Sequence, residues 1–590
     1  MRFRLFTILL IFLFSSGMAA SKKDVFKVRK VEFRGNIEID SQTLLKVILM
    51  RPSHLFNPVV FQEAILLDDL DALGTYYNRQ GFLKAEILDP VITIDSTKRK
   101  VDISIQVEEG ARARIEDLSF LGNDTYSDST LLKVSGLEPG KPLIAPQIEK
   151  ATLQLLRYYA DRGYLEASVK PTTRLNDVKD KAFVDIVIVE HSQYKIGGVE
   201  IDGNDKTRSN VIHRELDFKT DEIANYSRIL SSQKNLYLTG LFERVYLQPV
   251  PSLSDSTLRD IHIELKESQA GELNFSAGYG SIDRFRFKIQ FYQANLRGTA
   301  LKIGLSTRLS SIQRVVEAQF TNPRIRGSRW RLDVTQGLEK HFEPSYDLNR
   351  IASRVALQKK IDRRLSITLS QRNELNQLSN VIVDTLDGAL AADVHSLRGQ
   401  LTWDTRDNLF NPTSGILIDW LNEIAGGPVS SSNAFFKSNL RVTYQRPTFR
   451  GSVLASSLEI GSLSSYGGNY RISLQERFYA GGPNSLRGFA YQSVGPMDAS
   501  SNPQGGFVHL IWNVVELRVP VYKSLQTAFF VDAGNVWRDR SELSGSKLRK
   551  DIGVGLHYIT PIGVIRLETA YPINDEVTAP RVFFSMGYGF

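Results

Sequence analysis

The sequence predicts a two-part fold: three α+β repeats followed by a sixteen-stranded antiparallel transmembrane β-barrel. Three observations predict it. Two short phrases recur in the same order three times before about Ser268. Beyond that point, runs of alternating polarity follow one another to Phe590. The chain opens on an export signal, yet no later stretch reaches the eighteen or so uninterrupted apolar residues of a membrane helix.

The N-terminus reads Met1-Arg-Phe-Arg4, an apolar Leu5–Phe14 and then Ser15-Ser-Gly-Met-Ala-Ala20. This charge, apolar, small-residue order is that of a secretory signal peptide over 1–20, cleaved after Ala19 or Ala20. An exported chain without a helical anchor is either soluble beyond the inner membrane or crosses a membrane as a barrel, the other structure that satisfies its backbone in lipid. There is no cysteine, which excludes disulfides and a lipidated N-terminal Cys. Lys plus Arg number 73 against 65 Asp plus Glu. That excess is spread along the chain and lacks the clustered basic face of a nucleic-acid binder.

The first repeated phrase is Val31-Glu-Phe-Arg-Gly-Asn36, Leu118-Ser-Phe-Leu-Gly-Asn123 and Val199-Glu-Ile-Asp-Gly-Asn204: a strand ending in a Gly-Asn turn. The second is Tyr76-Tyr-Asn-Arg-Gln-Gly-Phe82, Tyr158-Tyr-Ala-Asp-Arg-Gly-Tyr164 and the looser Leu236-Tyr-Leu-Thr-Gly-Leu-Phe242, where glycine stops a helix. In the helix before Gly163, Ile148, Leu153, Leu156 and Tyr159 are expected to share the core stripe. Each unit closes with an alternating strand: Val101–Val107, Val184–Val189 and Ile261–Leu265. The units run over 24–110, 111–192 and 193–268. Strand, helices, strand, strand is an α+β sandwich with an open sheet edge, which either takes a strand from a client chain or only spaces the barrel.

From 269 to 590 the sequence reads as sixteen strands, from Glu272–Gly280 to Arg581–Phe590. In the last one Val582, Phe584, Met586, Tyr588 and Phe590 share a parity and are expected to face lipid, opposite Phe583, Ser585, Gly587 and Gly589. A soluble sandwich has no use for such an aromatic row.

Phe478-Tyr-Ala-Gly-Gly-Pro-Asn-Ser-Leu-Arg-Gly-Phe489 lies between expected strands eleven and twelve. With Asn295-Leu-Arg-Gly298, Asp404-Thr-Arg-Asp-Asn-Leu-Phe-Asn-Pro-Thr-Ser-Gly415 and Phe530-Val-Asp-Ala-Gly-Asn-Val-Trp537, in that context, the chain resembles the BamA/TamA superfamily of outer-membrane insertases and translocases. The repeats look like its POTRA domains, and the three-repeat layout looks closer to the TamA type. The resemblance implies that the loop carrying Gly481, Gly482, Leu486, Arg487, Gly488 and Phe489 folds back into the lumen. It also implies a cell outer membrane of a diderm bacterium, with the N-terminal domains in the periplasm.

The residues permit a physical reading beside it. In strand twelve Trp512, Val514, Glu516 and Arg518 share a parity, and the opposite, mostly apolar set of Ile511, Asn513, Val515, Leu517 and Val519 is expected on lipid, so Glu516 points inward. Asp532 on lipid is costly, so it too is expected in the lumen. Arg487 then has two carboxylates for a bidentate pair, a latch for the loop; the bland alternative is a solvated extracellular arginine. Gly278 and Gly280 in the first strand and Gly587, Gly589 and Phe590 in the last mark the seam that closes the barrel. Strand glycines weaken pairing, so this seam is the candidate site of lateral opening, unless the glycines only make room for the loop.

The eight histidines show no metal-ligand spacing, and no nucleophile motif or phosphate loop stands in context. No catalytic residue, cofactor or metal is expected. The expected function is that of an outer-membrane protein assembly factor receiving client polypeptides through its repeats, with outer-membrane lipid and an inner-membrane-anchored or lipoprotein partner as further contacts. The alternative is a dedicated secretion pore of two-partner type; a third reading, a passive porin, leaves the repeats and the loop motif without a purpose.

Overall fold

The computed structural model describes residues 25–53, 58–384, 393–409, 411–426, 433–466, 472–560, 563–573 and 579–586. The chain divides into two compact units. One comprises 1–200, 217–231 and 247–262; the other comprises 201–216, 232–246 and 263–590, so the third repeat contributes to both.

The first repeat holds β1 (Lys27–Arg34), α1 (Ser41–Val47), α2 (Glu63–Arg79), β2 (Glu86–Ile87), β3 (Val91–Asp95) and β4 (Lys100–Glu108). The second holds β5 (Arg114–Leu121), α3 (Asp128–Ser135), α4 (Ala145–Ala160), β6 (Ser168–Leu175) and β7 (Lys181–Val189). The third holds β8 (Lys195–Asp202), α5 (Ser209–His213), α6 (Tyr226–Leu238), β9 (Phe242–Pro251) and β10 (Leu258–Glu267). In each, the closing strand is central and pairs with the opening strand, in parallel for β1 with β4 and β5 with β7. Val101, Ile103, Ile105 and Val107 on alternate positions of β4 are buried, as are Val184, Ile186 and Ile188 on β7.

The Gly-Asn phrase recurs because it encodes one backbone device. Gly35, Gly122 and Gly203 all have φ near +80°, and a Cβ there collides with the carbonyl of Val107, Ile188 or Leu265. Asn36, Asn123 and Asn204 each donate to the carbonyl three residues on. A carboxylate at the end of the closing strand (Glu109, Glu190, Glu267) accepts backbone N–H groups from this turn in all three repeats. Tyr77 and Tyr159 donate to the first two of these, and burial pushes both phenols up. In the third, Leu236 stands four residues before the glycine, where the tyrosines stand in the others.

One expectation fails here. The core stripe of α4 is Ile148, Ala151, Leu155 and Tyr159, while Leu153 and Leu156 point outward. Steps of three and four residues stay on one face of a 3.6-residue helix; the five-residue step from Ile148 to Leu153 turns away from it.

The barrel is closed and has sixteen strands. They are β11 (Gly271–Gly280), β12 (Arg284–Leu296), β13 (Leu301–Leu309), β14 (Gln313–Asn322), β15 (Trp330–Glu343), β16 (Tyr346–Lys360), β17 (Leu365–Ser379) and β18 (Val394–Asp404). After these come β19 (Gly415–Ala425), β20 (Phe435–Pro447), β21 (Val453–Ser465), β22 (Val508–Tyr522), β23 (Leu525–Trp537), β24 (Arg549–Thr560), β25 (Gly563–Ile573) and β26 (Arg581–Met586). Outward positions are apolar, as in Phe285, Phe287, Ile289 and Phe291 of β12, while Arg286, Lys288 and Gln290 alternate with them. Within β26, Val582 and Met586 are exposed and Phe583 is buried, the parity expected of the last strand as far as Met586. Gly587, Tyr588, Gly589 and Phe590 lie outside the described residues.

Candidate functional site: a lumen latch and a barrel seam

Residues 472–507, ahead of β22, fold back onto the inward faces of the strands. The limbs of this loop meet through reciprocal backbone bonds between Phe478 and Gly506, both 2.9 Å, and from Val494 to Ala480. Gly481 has φ +107°, and a Cβ there runs into the Ala490 carbonyl, so the turn excludes a larger residue. Leu486 and Phe489 are buried with Ile472, Phe478, Phe435 and Val536, which seats the loop tip on an apolar base.

That base aims Arg487 at the wall. Its Nε and Nη2 each donate to Asp532 at 2.9 Å, a bidentate pair, and its backbone N–H donates to the same carboxylate at 3.3 Å. Nη1 reaches Glu516 on β22 at 2.7 Å. The guanidinium stacks on Phe530, 3.3 Å from the ring centroid. Arg487 is 5% and Asp532 0% exposed. The structure therefore brings Arg487, Glu516 and Asp532 together, with Gly488 packed so closely on Asp551 that a Cβ would lie 2.5 Å from its Cβ. Gly482 is a turn residue with φ +104°.

The strand-twelve parity needs correction. Val514 is an extra residue: Asn513 pairs with Asp532 and Val515 with Val531, a β-bulge. The bulge reverses the parity of the half of β22 before it. Trp512 faces outward, whereas Ile511 packs against the loop's apolar base and Asn513 donates to Asp532 at 2.8 Å. Glu516 and Arg518, beyond the bulge, do point inward. Arg518 bonds Asn411 and the Pro412 carbonyl, which ties this part of the Asp404–Gly415 signature to β22. Within it the Thr413 hydroxyl and backbone N–H groups hold the Asp407 carboxyl well below the usual carboxylate range.

Sequence reasoning missed three members of the site. Glu568 on β25 accepts from Arg487 at 3.2 Å and from His557, and Asp551 on β24 is fully buried opposite Asp532. Both lie at inward positions of alternating strands, so parity carried the signal. The third is Glu476, at the root of the loop. Its carboxylate meets Arg372 at 3.1 Å and its carbonyl accepts from Lys437 at 2.7 Å. Arg372 also binds Glu374 and Glu423, and Arg398 binds Glu423. The loop is thus anchored twice, its tip on β22, β23 and β25 and its root on β17 and β20.

The Asn295–Gly298 signature is a β12–β13 turn seated on the third repeat. Asn295 donates to the Thr207 hydroxyl at 2.7 Å, Thr207 donates to Glu267, and Arg208 donates to the Gly298 carbonyl at 3.0 Å. Nearby Glu215, 4% exposed, is paired with Arg324. At the seam, among the described residues, β11 pairs with β26 through Tyr279 with Met586 and Gly280 with Ser585, and the Ser281 N–H donates to the Phe584 carbonyl at 2.9 Å. Gly278 and Gly280 stand there; Gly587, Gly589 and Phe590 lie outside the described residues.

Residues 295–590 match the Omp85 superfamily domain, and 26–110, 113–191 and 194–268 match the POTRA family, described as a surface antigen variable number repeat. The chain belongs to the Omp85 superfamily. Outer membrane protein assembly factor BamA of Nitratidesulfovibrio vulgaris is 24% identical over 95% of this chain and 73% of its own length. The protein of the same name from Neisseria meningitidis serogroup B is 24% identical over 96% of this chain and 78% of its own. The crystal structure of Haemophilus ducreyi BamA lacking POTRA domains 1–3 shares the fold, with TM-score 0.69 at 20% identity over 80% of this chain and 99% of that one. These relatives are BamA proteins, so the three-repeat layout does not by itself place this Omp85 chain in the TamA type. It is an outer-membrane protein with its POTRA domains in the periplasm.

Proposed function

We propose that this Omp85 protein assembles other β-barrel proteins into the outer membrane, handing client strands from its POTRA edges to the β11–β26 seam. The observation that carries the reading is the union, in one Omp85 chain, of a closed sixteen-stranded barrel with three POTRA repeats whose sheets have open edges. An open sheet edge is where a client strand gains main-chain bonds by β-augmentation.

Reception is supported by the second repeat. Strand β6 is an edge and tolerates Pro171 as edges do. Between it and α4 lies an open groove of about 610 Å³ lined by Ile148, Leu153, Thr173 and Leu175. Leu153, turned away from the core, gives that groove its apolar wall. Asp532, Glu516 and Glu568 all accept from the Arg487 guanidinium, and we read them as a structural ion network with no catalytic role. An inner-membrane-anchored or lipoprotein partner belongs to the same proposal.

The test is folding of a model barrel in liposomes with and without the purified protein. Faster client folding supports assembly; an unchanged rate with a correctly folded protein overturns it.

A further inference from the structure

The glycines of the seam leave room for a side chain that crosses it. Arg286, on β12, lies directly opposite Gly278 of β11. Its guanidinium passes over Gly278 and Nη2 donates to the Met586 carbonyl of β26 at 3.1 Å, while Nη1 is held by Asp283 at 2.9 Å. A Cβ on Gly278 would lie 2.7 Å from both Arg286 Nε and the Met586 oxygen, and one on Gly280 would collide with the Asp283 carboxylate. Neither glycine has a positive φ; what they supply is space. Ser281 adds a second side-chain tie, its hydroxyl accepting from Phe584 N–H at 2.8 Å.

From these contacts we propose that Arg286 is a positioning residue that clips whichever strand occupies the seam edge beside β11, in the resting protein its own β26. The acceptor is a backbone carbonyl, which every strand offers, so the clip sets register without reading sequence. An incoming strand supplies the same oxygen when β26 leaves, and the guanidinium, held by Asp283, need not move. Arg286 and Asp283 share a cavity of about 520 Å³ with Phe583 and Ser585 of the seam and with Pro483 to Ser485 of the loop. The clip therefore borders both the seam and the latch-bearing loop. This inference rests on the assembly reading above.

Hydrogen exchange on the full-length protein in liposomes, without client, tests the clip alone. Arg286→Ala is expected to speed exchange at 276–280 and 582–586 by about tenfold, since a charged hydrogen bond across the strands is lost. Arg286→Lys is expected to fall between the two, and Arg308→Ala, on the neighbouring strand, to leave the seam as it is. Gly278→Ala, which crowds the guanidinium off Met586, is expected to mimic Arg286→Ala and serves if that variant fails to fold. Unchanged seam exchange in folded Arg286→Ala and Gly278→Ala overturns the clip. A faster seam in a protein that never speeds client folding keeps the clip and removes the assembly role.

Discussion

The β22–β23 contact and the β11–β26 seam are both strand pairings of one closed sheet, and they are built in opposite ways. The first pairs at thirteen positions, interrupted by a bulge, and its lumen face is crossed by Arg487 with Asn513, Glu516 and Asp532. The second pairs at two positions among the described residues and is supplemented by Ser281 and Arg286. At β22–β23 the ties run between charged side chains, which fixes which strands stand side by side; at the seam they run from side chains to backbone groups, which holds a strand without reading its sequence. On the proposed function, β22–β25 form the fixed wall and β11 with β26 the edge that opens.

Locking the joint should have the largest effect. The chain has no cysteine, so Tyr279→Cys with Met586→Cys introduces a single pair at opposed positions within disulfide reach. Oxidation is expected to stop client folding in liposomes and reductant to restore it; full activity of the locked barrel would erase the distinction drawn above. On the fixed side, Arg487→Ala leaves buried carboxylates unpaired and is expected to cost about 3–5 kcal/mol. Limited proteolysis of the loop reads this directly, and a loop as protected as in the parent would show that the apolar base alone holds it. Glu476→Gln should do less, about 1–2 kcal/mol, because Arg372 keeps Glu374 and Glu423. Its signature is looser exchange at 472–480 with the Arg487 tip still protected.

The smallest effect lies in the repeats and involves neither region. Glu166 accepts from Arg259 and Tyr194, and these bonds hold its carboxyl below the ordinary value of 4.5. A depressed folded value means the stabilisation is present above pH 4.5 and is lost as pH falls through the lowered one. Exchange around Tyr194 should rise on acidification, and Glu166→Gln should remove that dependence.

Part of the site was legible because strands alternate. Parity alone put Asp532 in the lumen and, applied to β24 and β25, would have put Asp551 and Glu568 there too. It failed in β22, where one extra valine resets which residues face inward and nothing in Asn513-Val514-Val515 announces the shift. It was silent about Glu476, whose partners Arg372 and Lys437 come from two strands more than thirty residues away in sequence. The helix stripe failed for a simpler reason: leucines attract the eye, and α4 buries Ala151 while presenting Leu153 to the groove.

By itself the sequence determined what depends on neighbouring residues. Gly-Asn turns need a positive φ and an amide three residues from its acceptor; strands need period two; both are written locally and three or sixteen times over. The tertiary structure alone decided what depends on which strands stand side by side: the bulge register, the second anchor at Glu476, and the role of Gly278. Read along the chain, that glycine only weakens a strand. Closure of the barrel brings Met586 beside it, and the missing Cβ becomes the space through which Arg286 holds the edge.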